Sequence, residues 1–244
     1  MPRPRNPLHQ TELTRATLPA FVETVAAFDP DAEPVELRRY PGYPHVALPA
    51  VRARRLCSLD QTLLDRRCRT RLTTALPEAG KLARLLRLGH GVSPGAGPPR
   101  GMIPSAGGLQ ALELYLVVFA ETRGWLAAGN YHYDRAGHSL ALLTSEPTGR
   151  EKWSASIPSL RQLEGGAALW ILSGDLARAE SKYGDRAARF LLLESGHLMQ
   201  NLCVLSASVG LCTVPLGAFL ERDVAAALRL PAGDAVLYVG AIGG

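Results

Sequence analysis

The feature that most constrains the fold is a turn of small residues at positions 104–110, which leads into a continuous apolar segment at 114–119. A continuous apolar run of this length is typical of a strand that is buried on both faces. Gly107 and Gly108 carry no side chain, so the backbone of the turn can approach a flat ligand closely. The segment therefore predicts a central strand whose entry turn can seat such a ligand.

The composition is that of a globular protein. With 244 residues and 47% hydrophobic content, the chain can bury the core of one large domain, with or without an appended segment. Lys and Arg total 27 against 22 acidic residues, and the excess gathers at residues 2–5 and 52–87. This clustering is compatible with a local anionic partner or with a solvated helix face, and the lack of a base-stacking motif argues against nucleic acid.

The cysteines predict neither a disulfide framework nor a metal site. Cys57, Cys68, Cys203 and Cys212 form no CxxC pair and show no metal-ligand spacing with the histidines. No apolar window reaches the roughly 18 residues that a membrane span requires, and no long apolar run follows the basic N-terminus. We therefore expect a cytoplasmic protein with reduced thiols and no membrane partner.

The chain divides into two parts by composition. Residues 1–55 are rich in proline and charge and are predicted to be an irregular lead segment with one short helix around 18–28. Residues 56–244 are predicted to form one domain. There, Ser58 or Asp60 is expected to cap a first helix, and Pro77 to open a second helix that ends at Gly89 and Gly91.

Apolar patterning predicts the remaining elements. Strands are expected at 112–119, 167–172 and 236–242, and an antiparallel hairpin at 129–143 with its turn at 134–138.

The longest helix is predicted to begin with Asp185 as its N-cap and to end at Gly210, with Glu194 and His197 on a narrow polar stripe. Because the rest of this helix is apolar, we expect it to be buried on more than one side, within a domain or at a subunit interface. We interpret His197 as a core histidine rather than a ligand or base.

Five segments, taken in order, resemble one protein family. They are PSAGGLQ at 104–110, NYHYD at 130–134, KYGDRA at 182–187, ESGHLMQN at 194–201 and VPLG at 214–217. Together they resemble the motifs of the nitroreductase-like flavoproteins, and among these the SagB-type thiazoline/oxazoline dehydrogenases. The resemblance extends from about Leu63 to the end of the chain.

The resemblance implies an architecture and a cofactor. The expected fold is α+β, an α/β/α sandwich with a mainly antiparallel sheet, preceded by the irregular lead segment. Two chains are expected to interlock as a dimer that holds two FMN molecules at its interface. The second chain could be another copy or a related protein.

The resemblance also implies which residues bind FMN. Arg66, Arg67, Cys68 and Thr70 fall on the family's phosphate motif. Cys68 stands where Ser is usual and Thr70 where Lys or Arg is usual, so one charge-assisted contact is missing, and weak or partial flavin loading is an open alternative. The chain also ends at Gly244 without the basic tail of many relatives. The remaining implied FMN-binding residues are Pro104, Ser105, Ala106, Gly107, Gly108, Gln110, Pro215, Leu216 and Gly217.

Lys182 and Tyr183 are implied as the catalytic pair, because the resembled enzymes use a Lys-Tyr motif as their base. Oxidation of an azoline to an azole removes a proton from one ring carbon and transfers a hydride from its neighbour to flavin N5. A desolvated Lys can take that proton, and a neighbouring Tyr can hydrogen-bond it or share the role. Without the resemblance, a Lys-Tyr dipeptide before a helix is most simply a surface turn.

Three functions remain open at this point. The first is an FMN-dependent dehydrogenase that acts on a heterocycle in a ribosomally synthesised peptide, beside a cyclodehydratase. The second is another flavin oxidation, or reduction of nitroaromatics or quinones with NAD(P)H. The third is a flavin-free scaffolding subunit of a biosynthetic complex. The lead segment could dock the peptide or the partner enzyme, or wrap the dimer.

Overall fold

The computed structural model describes residues 11–29, 32, 35–52, 58–93 and 100–244. The predicted boundary at 55/56, the basic residues 2–5 and Cys57 lie outside these ranges.

A seven-stranded antiparallel sheet forms the centre of the molecule, in the order β1-β5-β4-β3-β7-β9-β8. Its strands are β1 (His45–Ala47), β3 (Leu112–Val118), β4 (Gly129–Asp134), β5 (Ser139–Thr144), β7 (Ala168–Asp175), β8 (Cys212–Leu216) and β9 (Asp234–Gly243). A short parallel pair is formed by β2 (Arg71–Leu72) and β6 (Glu164–Gly165). Every residue of β3 is buried, which explains why its sequence is apolar without alternation.

Helices cover both faces of this sheet. They are α1 (Leu18–Ala27), α2 (Leu59–Asp65), α3 (Ala79–His90), α4 (Arg150–Ser156), α5 (Leu176–Tyr183), α6 (Ala187–Ser208) and α7 (Glu221–Leu228), with 3-10 turns at Ala106–Gly108, Pro158–Gln162 and Gly184–Arg186. On one face, Leu86 of α3 and Leu198 of α6 belong to one core with Leu114 of β3. On the other, Trp153 of α4 and Val224 of α7 belong to a second core. The predicted α/β/α sandwich with a mainly antiparallel sheet is therefore confirmed. Among the described helices, none combines the length and apolarity needed to cross a bilayer.

Local capping signals correctly predicted several element ends. The Ser58 hydroxyl accepts a 3.1 Å hydrogen bond from the Gln61 N–H and caps α2, as expected. The hairpin turn closes because the Asp134 carboxylate accepts the N–H groups of Ala136 and Gly137 at 3.0 and 2.9 Å. Gly91 is the C-cap of α3, whereas Gly89 lies inside that helix.

The predicted N-cap of the longest helix was wrong by one residue. Asp185 does not cap α6 but belongs to the 3-10 turn Gly184–Arg186, and α6 begins at Ala187 without a side-chain cap. Gly184 has φ of 50°, a left-handed conformation that ends α5 and separates the two helices. This break places the end of α5 against the first turns of α6.

Residues 35–47 are fixed to the sheet by a buried charge cluster and by β1. The Arg38 guanidinium binds both carboxylate oxygens of Asp234 and lies 3.2 Å from Asp175 and 3.9 Å from Glu113. Glu113, whose side chain is only 2% exposed, also contacts His132 at 2.9 Å. Buried carboxylates need such partners, because an unpaired buried charge is strongly destabilising. Arg38 therefore ties this segment to three strands of the sheet.

Candidate active site

The small-residue turn before β3 adopts a strained shape. Gly107 and Gly108 have φ of 57° and 71°, in the left-handed region that glycine tolerates. Gln110 has φ of 52°, which is uncommon for a residue with a side chain. Its N–H donates to the Ser105 hydroxyl at 2.9 Å, which closes the turn on itself.

Two arginines hold Gln110 in this conformation. The buried Arg135 guanidinium donates to the Gln110 side-chain oxygen, and Arg178 donates to its backbone carbonyl at 3.3 Å. The Arg135 Nε also donates to the carbonyl of His90 at the end of α3 at 2.8 Å. Surrounding contacts thus offset the backbone strain, as is common where a turn is built for a ligand.

Lys182 and Tyr183 form the last two residues of α5 and point to this turn. A Cβ built on Gly107 would lie 2.6 Å from the Tyr183 hydroxyl and 2.8 Å from the Lys182 Nζ. These separations are shorter than van der Waals contact, so only glycine fits at position 107 without displacing the pair. The structure therefore brings together the predicted catalytic pair and the predicted flavin turn.

Glu194 is a third member of this group, and the sequence did not identify it as a site residue. It lies on α6, is 6% exposed, and accepts a 2.6 Å hydrogen bond from the Ala106 N–H. Two sequence signals mark it, its place on the polar stripe of an otherwise apolar helix and its position at the start of the ESGHLMQN segment, but neither assigns it a site role. His197, interpreted above as a core histidine, is instead exposed on the same helix, so that prediction was wrong.

Burial and charge shift the acidities of two of these groups. Burial raises the pKa of Tyr183, and the nearby Glu194 carboxylate raises it further. Burial likewise raises the pKa of Glu194, although its hydrogen bonds with Ala106 and Ser105 and the charge of Arg135 oppose the shift. Tyr183 is therefore held in its neutral, hydrogen-bond-donating form around neutral pH.

The predicted phosphate group lies at a different place. Arg66 is half-buried, and Arg67, Cys68 and Thr70 are exposed in the segment that follows α2. A cavity of about 260 Å³ lies beside Cys68 and Thr70, and neither Arg66 nor Arg67 lines it. The site residues that line it are Cys68, Thr70, Pro215, Leu216 and Gly217, together with Arg69.

This corner has a defined backbone. The Cys212 thiol donates to the Arg67 carbonyl at 3.1 Å, which ties the segment to β8. Burial raises the pKa of Cys212, so its thiol stays protonated and acts as a donor. A Cβ on Gly217 would meet nothing within 4 Å, which leaves the approach to the cavity open.

The site residues thus fall into two groups within one chain. We call them the turn group, which contains residues 104–110 with Lys182, Tyr183 and Glu194, and the corner group, which contains residues 66–70 with 215–217. Within the described ranges, no hydrogen bond or ion pair joins the two. On α6, Leu192 and Leu193 are 54% and 57% exposed, an unusual state for neighbouring leucines in the middle of a long helix.

The residues present fit FMN in chemical terms. The corner group offers guanidinium, hydroxyl and thiol groups beside a cavity, which suits a phosphate. The turn group offers a flat glycine surface with a lysine amine and a phenol at its edge, which suits a planar ring whose substrate must lose a proton. Among the residues that can be described, no His, Cys, Asp and Glu cluster could hold a metal ion.

Comparison with known proteins agrees with this fold. Residues 64–244 match the pattern of the family described as the nitroreductase family. A Methanocaldococcus jannaschii protein assigned by name to the nitroreductases is 29% identical over 176 residues, which cover 70% of this chain and 84% of that protein.

Three solved structures share the architecture. A nitroreductase-like protein from Anabaena variabilis superposes with a TM-score of 0.71 at 21% identity, over 97% of this chain. This chain spans 45% of that protein's length. A Ralstonia eutropha structure has a TM-score of 0.69 at 20% identity, with 85% and 92% of the two chains covered. A chain of the Escherichia coli microcin synthetase McbBCD complex with truncated pro-MccB17 bound has a TM-score of 0.62 at 19% identity, with 96% and 98% covered.

Proposed function

Because the chain belongs to the nitroreductase family, we propose that it is an FMN-dependent dehydrogenase that oxidises an azoline ring to an azole in a ribosomally synthesised peptide. The convergence of Lys182 and Tyr183 on the Gly107 backbone is the observation that carries this proposal. The shared fold with a chain of the microcin synthetase complex, which holds truncated pro-MccB17, supports a peptide as the substrate. A cyclodehydratase would then be the partner that supplies the azoline.

The two groups would hold different parts of FMN. The corner group would bind the phosphate through Arg66, Arg67 and Thr70, and the turn group would lie against the ring. FMN bound in this way would accept the hydride from one ring carbon of the azoline.

The protein's own contribution is the removal of the proton from the neighbouring carbon. Lys182 Nζ, in its neutral amine form, would receive that proton and become an ammonium, and the electron pair left behind would complete the aromatic ring as the hydride leaves the neighbouring carbon. Tyr183, kept neutral by burial and by Glu194, would donate a hydrogen bond to the substrate and orient it towards Lys182. Gly107 would leave room for this pair beside the flavin.

Two copies of the chain would be needed to complete each site. No residue of the turn group lines the cavity beside Cys68 and Thr70, and within the described ranges no hydrogen bond or ion pair joins the two groups, which supports this arrangement. The exposed Leu192 and Leu193 support it as well, because burying them between two α6 helices would remove apolar surface from water. A heterodimer with a related chain would satisfy the same geometry.

Reduction of nitroaromatics or quinones is the second candidate function. It is favoured by the 29% identity to the Methanocaldococcus jannaschii protein assigned to the nitroreductases. The Lys-Tyr pair favours oxidation of a peptide heterocycle, since nitro reduction needs no base at that position.

The first test is the visible absorption spectrum of the purified protein, with the released cofactor identified by chromatography. An absorption band of bound flavin at about 450 nm and one FMN per chain are expected. The protein would then be given an azoline-containing peptide under air, and azole formation would be followed by mass spectrometry. Rapid NAD(P)H consumption with a nitroaromatic, and no azole product, would favour the second function. A protein that stays colourless with excess FMN would instead be a flavin-free scaffolding subunit.

A further inference from the structure

The helix α1 lies directly over Lys182 and Tyr183. The Phe28 ring, which follows α1, has its centroid 4.6 Å from the Lys182 Nζ. The Phe21 ring stacks on Tyr183 with a centroid separation of 6.4 Å and an interplanar angle of 20°. The two side chains that carry the proposed chemistry are therefore both covered by residues of the lead segment.

The surface beneath α1 combines cations and aromatic rings. Phe190 of α6 packs against Tyr183 at 4.7 Å between centroids, and the Arg186 guanidinium lies 5.8 Å from both Phe21 and Phe190. Cations attract the face of an aromatic ring, and aromatic rings attract one another in stacked or tilted arrangements. This surface therefore suits a flat ring, and in the structure Phe21 and Phe28 provide it.

The attachment of α1 is weak compared with that of the segment that follows. No residue of α1 is buried, and only Phe21 and Val25 within it are half-buried. Residues 35–47, by contrast, are fixed by the Arg38 charge cluster and by β1. Elements with few buried contacts open at low free-energy cost, while those with many do not.

A polar contact holds the start of this segment near α6. Arg186 donates to the Thr11 carbonyl, and Arg189 donates to the Thr11 hydroxyl at 2.8 Å. These contacts are partly buried, but they hold Thr11, which precedes α1, and not α1 itself. They orient the approach to α1 without fixing it.

We infer that α1 is an internal competitor that covers the cation-aromatic surface of Lys182, Tyr183, Arg186 and Phe190 and is displaced when a peptide presents its ring there. Phe21 and Phe28, which belong to the same chain, occupy the place that the azoline ring of the bound peptide takes. Displacement of α1 by an azoline peptide rests on the proposed function. The cover of Lys182 and Tyr183 by α1 depends only on contacts within the chain.

The cover is tested by the chemical reactivity of Lys182 in the full-length protein. A lysine-selective acylating reagent is applied briefly, and the modification of each lysine is measured by peptide mass spectrometry. Lys81 and Lys152, which lie away from α1, serve as internal references. If Lys182 reacts only while α1 is displaced, its rate reports the open fraction.

The Phe21→Ala/Phe28→Ala double variant should raise the acylation rate of Lys182 roughly tenfold, which corresponds to about 1.4 kcal/mol of lost contact energy. The rates at Lys81 and Lys152 should not change. The control is Val22→Ala, on the exposed side of the same helix, where the side chain is 54% exposed. It should leave all three rates unchanged. An unchanged rate at Lys182 in a folded double variant, verified by its thermal unfolding midpoint, overturns the inference.

Turnover of an azoline peptide separates this inference from the proposed function. If α1 competes with substrate, the double variant should also show a higher kcat/KM. Faster acylation without azole formation in any variant supports the cover and rejects the proposed function. Azole formation with an unchanged acylation rate supports the proposed function and rejects the cover by α1. Faster acylation with a lower kcat/KM shows that α1 binds the substrate instead of competing with it, which also overturns the inference.

Discussion

The carboxylate of Glu194 accepts a 2.6 Å hydrogen bond from the backbone N–H of Ala106. This bond joins the middle of α6 to the turn that precedes β3, and the next residue, Gly107, is the one that Lys182 and Tyr183 crowd. The turn, the Lys-Tyr pair and α6 are consequently held together by direct contacts.

Replacing Glu194 by Gln should lower the pKa of Tyr183. The glutamate charge disfavours the tyrosinate, so its removal makes ionisation easier, while the Gln oxygen can still accept from Ala106. Absorbance at about 295 nm is titrated with pH, and the matching Tyr183→Phe protein is subtracted to isolate one phenol. Glu180→Gln, which changes an exposed carboxylate on α5, is the control for net charge. An identical Tyr183 titration in E194Q and wild type would contradict the coupling.

Lys182→Ala should lower azole formation by roughly a hundredfold to ten-thousandfold, the usual contribution of a general base. Flavin content should stay unchanged, because Lys182 contributes no predicted contact to the phosphate. Flavin absorbance and turnover are measured on the same preparation, with Lys152→Ala as the control on an exposed lysine. Loss of bound flavin together with activity would refute the role of Lys182 as the base.

Gly107→Ala and Gly108→Ala form a matched pair. Both residues have positive φ, so each alanine should cost about 1–2 kcal/mol of stability. A Cβ at Gly108 would meet nothing within 4 Å, whereas one at Gly107 would collide with Lys182 and Tyr183. Turnover should therefore fall by about a hundredfold in G107A and remain near wild type in G108A. Equal loss in both variants would show that backbone strain, and not crowding of the catalytic pair, limits activity.

Thr70→Arg should tighten FMN binding, because it would add a charge-assisted contact at the position where the resembled phosphate motif carries Lys or Arg. Such a contact is worth about tenfold in affinity, and Arg66→Ala should weaken binding by a similar factor. Binding is followed by quenching of flavin fluorescence. Arg71→Ala is the control, since Arg71 is exposed and pairs with Glu164 at 2.8 Å. Unchanged affinity in R66A would mean that the phosphate is held elsewhere.

Stability should fall in mild acid because of His90. This residue is buried, its Nε2 hydrogen-bonds to the Leu112 carbonyl at 3.0 Å, and burial with the charge of Arg135 keeps its pKa well below 6.5. The unfolded state then binds a proton that the folded state does not, so stability is lost as pH falls below about 6.5, by at most about 1.4 kcal/mol per pH unit.

Urea unfolding at several pH values measures this dependence. His90→Gln retains a donor for the Leu112 carbonyl but does not titrate, so its stability should vary less with pH than that of the wild type. Parallel pH curves for the two proteins would exclude His90 as the cause.

The sequence predicted those parts of the fold that depend on neighbours along the chain. The continuous apolar run of β3, the Asp134 turn and the Ser58 cap each follow from a few adjacent residues. The start of α6 was misplaced because Gly184 ends α5 and a 3-10 turn separates the two helices. Asp185 lies in that turn, although local rules assign such a residue as a helix N-cap.

The candidate site was only partly accessible from sequence. Residues 104–110, Lys182 and Tyr183 were identified through the family resemblance, and local patterning alone would have assigned the Lys-Tyr pair to a surface turn. The Glu194 bond to Ala106 and the cover of Lys182 by Phe28 join residues far apart in the chain. Periodicity and capping rules describe contacts over a few residues, so they carry no information about such pairs.

The position of Arg38 changes what counts as the folding unit. It precedes residue 64, where the family match begins, yet it is the counterion of carboxylates at Glu113, Asp175 and Asp234. A protein trimmed to the family boundary would leave the buried Asp234 carboxylate without this guanidinium. Asp175 would keep Arg178 at 3.4 Å, and Glu113 would keep His132 at 2.9 Å. Residues that precede the family match therefore contribute to the stability of the sheet that the match covers.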